Sequence, residues 1–162
     1  MKNEFLAEGK LIKSGIDPVD FNTADNTGAR MALKNVDRVA FIVTLGAGSS
    51  TSAHSFALKQ HDAASSGTTK ELSVANPYYH KVGSADEFTK VEPTVAAHTY
   101  DLHSLLSNSK AVVILEVKAE DLDRANGFDW ASLNVADVGG AQLGAQIIVA
   151  EPNFKPAYGQ EI

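Results

Sequence analysis

The stretch 35–61, NVDRVAFIVTLGAGSSTSAHSFALKQH, constrains the fold more than any other part of the chain. It holds an apolar β-branched run, a Gly/Ser-rich break and a second alternating run. Side chains alternate faces along a strand, so Val39, Phe41, Val43 and Leu45 share one face, and Phe56 and Leu58 share one on the returning run. GAGSST is too rich in glycine and serine to continue either strand, so the chain must reverse there. The expectation is a long hairpin, with much of the remaining chain built from further pairs.

The 162 residues, 44% of them hydrophobic, suit one domain, which at this size buries roughly 70% of its unfolded surface without disulfides or metal. Net charge is −6 and the pI is near 5.3. General nucleic-acid binding needs clustered Lys and Arg, so this balance disfavours it. Cysteine is absent, which excludes a disulfide scaffold and thiolate metal sites. The start, MKNEFLAEGKLIKSG, has charges throughout and no apolar segment of secretory length, and no run is long enough to span a membrane. The expected setting is assembly in the cytoplasm, with no membrane partner.

Residues 1–28 carry scattered apolar side chains interrupted by Gly9, Gly15 and Pro18, and end in the turn-rich FNTADNTGAR. They read as an extended N-terminal arm. ARMALK, 29–34, alternates as a short first strand. Beyond His61, brief strands are expected at 71–75, 87–91 and 98–102, and KAVVILEVK, 110–118, is the most β-prone run. AEDLDRANG closes on a turn dipeptide preceded by one helical turn, and strands at 128–135 and 142–150 follow. The tail 151–162, with two prolines, reads as extended and partly detached. About eight short strands, without an amphipathic helix to cover a sheet, give an all-β fold: a single-domain, jelly-roll-like β-sandwich over 29–150 with arms at both ends.

Chemistry-bearing motifs are sparse. Asp121, Asp123, Asn126 and Gly127 have the wrong spacing for an EF-hand, and Ser132 stands where its closing Glu belongs. A solvated acidic turn is the expectation. Histidines 54, 61, 80, 98 and 103 form no metal-binding spacing and are read as surface or loop residues. Gly46 and Gly48 follow a strand but lead into another, so they mark a reversal instead of a phosphate loop. Carboxylates such as Glu120 and Asp121 lie in hydrophilic turns with nothing to raise a pKa. No cofactor, metal or catalytic residue is expected. Tyr78, Tyr79, Phe128 and Trp130 suit either a core or a sugar-stacking platform, and the Pro-Tyr-Tyr segment also suits a subunit contact.

The strand-loop-strand RVAFIVTLGAGSSTSAHSFALKQHDAAS with the following TTKELSV, and the late run VVILEVKAEDLDRANGFDWASLNVADVGGAQLGAQIIVAEPNFKPAY, cover over half the chain. In these the sequence resembles the capsid cement or decoration proteins of tailed bacteriophages. The resemblance implies a jelly-roll-like β-sandwich without enzymatic activity. It implies binding to the outside of the major capsid protein shell, self-association as a dimer or trimer, and a place on the virion exterior. A tail or neck component and a carbohydrate-binding module are the alternatives. The residues expected to make capsid or oligomer contacts are Phe5, Leu6, Leu11, Ile12, Tyr78, Tyr79, Phe154 and Tyr158, the alternative being that the arms pack back on their own sandwich.

Overall fold

The computed structural model describes residues 9–49, 54–106 and 108–153. Among these, eleven strands form two antiparallel sheets facing each other across one core: β1 (Leu11–Asp20), β2 (Met31–Ala32), β3 (Val36–Leu45), β4 (Ser55–His61), β5 (Thr69–Glu71), β6 (Tyr78–Val82), β7 (Thr89–Val91), β8 (Thr99–Asp101), β9 (Ala111–Lys118), β10 (Trp130–Val135) and β11 (Leu143–Pro152). One sheet has the order β1-β11-β3-β9-β6-β7. The other has the order β2-β10-β4-β5, and β8 joins it by pairing with β4. A single helical turn, α1 (His103–Leu106), precedes β9. The expected all-β sandwich is therefore present, with eleven strands in place of about eight.

The central alternation holds residue by residue. Val36, Val39, Phe41, Val43 and Leu45 of β3 are buried, as are Phe56 and Leu58 of β4. The expected hairpin between them does not form. β3 pairs with β11 and β9, whereas β4 pairs with β10, β5 and β8, so the chain leaves one sheet after Leu45 and enters the other at Ser55. Alternation specifies which face of a strand is buried but not which strand lies beside it. Two inward-facing strands look the same whether they share a sheet or oppose each other. The last two strands, β10 and β11, likewise lie in opposite sheets.

The N-terminal arm expected over 1–28 is corrected from Leu11 onward. β1 is a full edge strand against β11, Ile16 and Phe21 reach the core, and Phe21 is completely buried. The register shifts between Ser14 and Ile16 and again between Ile16 and Val19, the places occupied by Gly15 and Pro18. Bulges and a proline are tolerated where one side of the strand has no ladder to complete. They also erase the period-two pattern by which a strand is recognised. At the other end, β11 continues through Glu151 and Pro152, so the boundary of the tail falls later than residue 151.

One polar side chain ties the two sheets through the core. Gln146, on β11, is fully buried and donates from Nε2 to the Leu133 carbonyl on β10 at 2.9 Å. Its Oε1 has no hydrogen-bond partner among the described residues. Gly28 lies against this bridge: a Cβ there would sit 2.1 Å from the Leu133 oxygen and 2.9 Å from Gln146 Oε1. The close approach requires glycine.

Candidate docking face

An antiparallel sheet with one face in the core normally turns polar residues to solvent. The outer face of the five-stranded sheet is mixed, with Ser55, Lys59 and Asn134 beside Ala57 and Trp130. The six-stranded sheet departs further from that rule. The buried sets on β3, β9 and β11 leave Ala40, Ile42, Val112, Ile114, Ala145, Ile147 and Val149 on the outer side.

Register gathers these into rows. Ile147 pairs with Ile42, Ile42 with Ile114, and Ile114 with Tyr79, giving one apolar row across four strands. Ile12, Val149 and Ala40 form a second row, and Ala145, Thr44 and Val112 a third. Three of the apolar residues are well exposed: Ile12 at 49%, Ile147 at 44% and Leu143 at 68%. β-branched residues suit strands whichever way they point, so the strand propensity of IVTL and AVVIL conceals that half of these side chains face outward.

One end of the plane is closed by charge. Glu151 is ion-paired with Lys10 and with Arg38, whose Nε lies 2.6 Å from Glu151 Oε2, and Arg38 Nη1 is 3.9 Å from Glu116. Hydrogen bonds from Lys10 and then Arg38 hold the Glu151 carboxyl below its ordinary range, and the bond to Glu151 raises Arg38. These side chains rim a dent of about 160 Å³ floored by Ala40, Val149 and Ala150.

The edges of this sheet are poor templates for another strand. β1 is broken by its two register shifts and by Pro18, and β7 is three residues long with Pro93 soon after it.

The contact residues expected from sequence divide into three groups. Ile12 and Tyr79 lie on the apolar plane. Leu11 packs partly against the core, and Tyr78 is a core residue, 9% exposed and edge-to-face with Tyr100 at 5.5 Å. The expectation that Tyr78 makes an external contact is corrected, because in β6 it faces inward beside Leu115 while Tyr79 faces out. Phe5, Leu6, Phe154 and Tyr158 lie outside the described residues. The alternation around Ile42, Ile114 and Ile147 was the available signal for the rest of the face.

The four aromatics considered as a sugar platform are not brought together. Tyr78 and Tyr79 belong to β6, whereas Trp130 lies in the opposite sheet and Phe128, just before it, is buried with Lys70 Nζ 4.2 Å over its ring.

Two histidines correct the surface reading. His54 is fully buried, and His61, 4% exposed, lies between Thr69 Oγ1 at 2.8 Å and Ser132 Oγ at 2.9 Å. Apart from Thr69, eight residues from His61, their partners come from distant parts of the chain, so no local pattern announces their burial. His98 sits 3.2 Å from Glu71 at the surface, and His80 is half-exposed on β6. His103 is partly buried beside His54. In the acidic turn, Asp121 accepts from Asn76 and the Lys118 amide, and Asp123 from Lys70 and Asn126, so these carboxylates serve the loop itself. Glu120 pairs with Lys118. Gly46 and Gly48 donate to the Leu143 and Asn108 carbonyls, which fixes the exit from β3. Among the described residues no three His, Asp or Glu side chains converge as metal ligands.

No protein-family model matches the sequence, and comparison with curated proteins gives no match. Among solved structures the chain is similar to the Clostridium thermocellum endo-1,4-β-D-xylanase 10B, in its CBM22-1 and GH10 modules complexed with xylohexaose. The identity is 8% and the TM-score 0.34, over 95% of this chain and 28% of that one. The chain thus spans under a third of that protein's length. Likeness at this level carries no argument about function.

Proposed function

We propose that this chain is a non-enzymatic structural protein of a bacteriophage virion, a capsid decoration protein that binds the outer surface of the major capsid protein shell. The observation that carries the reading is the apolar row Ile147-Ile42-Ile114-Tyr79 on a sheet face against which no other strand of the described residues packs. Contiguous apolar patches of a few hundred Å² are often functional, and a sheet face of this kind suits a broad, shallow contact.

Its size favours a lattice. Rows of three or four residues on strands about 4.8 Å apart, three rows deep, make a plane of roughly 300–400 Å², below the ~800 Å² that each partner gives to a stable two-body complex. One such contact is weak. Repeated over a shell, or through a dimer or trimer of this chain, it becomes effectively permanent, because once one site is engaged the others bind intramolecularly. The role is to clamp neighbouring capsomers, which needs a rigid body and no chemical step.

The test is the stoichiometry of purified virions by quantitative mass spectrometry. A copy number comparable to that of the major capsid protein is expected. A handful of copies per particle would indicate a tail or neck component, and absence from virions would overturn the reading.

A further inference from the structure

The apolar face does not involve the polar cluster at the end of the sandwich where the chain passes between sheets. His54 is fully buried immediately before β4, and its carbonyl accepts the Leu102 amide at 2.9 Å, just ahead of α1. Its Nε2 lies 2.6 Å from Gln142 Oε1, and its Nδ1 lies 3.1 Å from His103 Nδ1 on α1.

One proton arrangement satisfies these contacts. The Gln142 amide nitrogen donates to the Gly46 carbonyl at 2.9 Å, which leaves Oε1 facing His54. An amide oxygen only accepts, so His54 carries its hydrogen on Nε2 and presents a lone pair at Nδ1. His103 must then donate from Nδ1. The result is a directed chain, His103 to His54 to Gln142 to Gly46, joining α1, the entry to β4, the start of β11 and the exit of β3.

We propose that the His54–His103 pair is an acid-sensitive latch that holds α1 against the end of the sandwich. The two imidazoles respond differently to acid. A proton added to His103 goes to Nε2 and leaves its Nδ1 donor in place. A proton added to His54 goes to Nδ1, and once both rings are charged two N–H donors stand nose to nose at 3.1 Å. The latch therefore survives the first proton and opens on the second.

The groups facing His54 are His103, whose charge opposes protonation, Asp101 on β8, whose charge favours it, and neutral Gln142. Burial is the largest influence and disfavours the charged form, which keeps the latch shut at neutral pH. Opening releases the turn that the Leu102 carbonyl anchors through the Leu105 and Leu106 amides.

The experiment is nitrogen-15 imidazole NMR with amide hydrogen exchange, on the wild-type chain and on His103→Ala. Near neutral pH, His54 should appear as the Nε2–H tautomer and His103 as Nδ1–H. On acidification, exchange at Leu105 and Leu106 should rise before global unfolding. His103→Ala should raise exchange at these amides roughly tenfold at pH 7, the effect of one ordinary hydrogen bond, and should abolish the separate acid step. Because His103 is only partly buried, this variant tests the latch without emptying the core. An Nδ1–H tautomer for His54, or protection of these amides in acid up to global unfolding, would overturn the proposal.

Discussion

Ile42 and Ile114 lie directly opposite each other across β3 and β9, on the solvent side of the six-stranded sheet. Each is flanked along its strand by buried residues, Phe41 and Val43 in one case and Val113 and Leu115 in the other. The alternation that places four side chains in the core places these two outside it, in a row that Ile147 and Tyr79 extend to either side.

Placing a charge in that row separates docking from stability. Ile147 is substantially exposed, so Ile147→Lys should change the free energy of unfolding by no more than about 1 kcal/mol. Binding to capsid shells, followed by co-sedimentation, should fall by an order of magnitude or more. Unchanged binding would move the contact to another surface.

The first described strand belongs to the core. Phe21→Ala should cost about 3–5 kcal/mol in urea unfolding, a large share of the ~5–15 kcal/mol that holds a typical domain. Val95→Ala, at a well-exposed loop position, should be close to neutral. Equal effects from the two would contradict the placement of Phe21.

Gly28 and Gly83 make a controlled pair. A Cβ at Gly28 meets the Leu133 carbonyl oxygen at 2.1 Å, whereas one at Gly83 meets nothing within 4 Å but must adopt φ +63°. Gly83→Ala should cost about 1–2 kcal/mol, the strain of a left-handed residue. Gly28→Ala should cost more, because two backbones and the Gln146 bridge must move apart. Urea midpoints for the two variants give the order directly.

Acid should weaken the fold through His61. Burial chiefly, then the charges of Arg30 and Lys59, lower its pKa from 6.5 to about 4, with Asp62 opposing. The unfolded chain thus binds a proton more readily than the folded one, so stability falls as pH drops from about 6.5 toward 4. Across that window the loss is on the order of 2–3 kcal/mol from this group. His54, also lowered by burial, acts in the same direction. Stability measured by urea at pH 7 and pH 4.5 should show the decline, and His61→Asn should flatten it. A slope unaffected by that substitution would assign the acid sensitivity elsewhere.

The sandwich was legible wherever a strand kept its alternation, as in Val39-Phe41-Val43-Leu45 and in KAVVILEVK. Neighbour relations were not, because β3 and β4 bury matching faces from opposite sheets. β1 was hidden by Gly15 and Pro18, which interrupt its period at the two register shifts. Of the contact residues, Ile12 and Tyr79 lie on the exposed plane, but nothing singled out the isoleucines around them, because an outward isoleucine in a strand looks like an inward one. The buried histidines were invisible because the groups that accommodate them, Gln142 and Ser132, stand 88 and 71 residues away.

The irregular first strand has a consequence for crowding. Copies held side by side at high local density are at risk of zipping into continuous ribbons wherever a straight, unfinished ladder is presented. A ladder that jogs twice and carries a proline offers such zipping no continuous template along this edge.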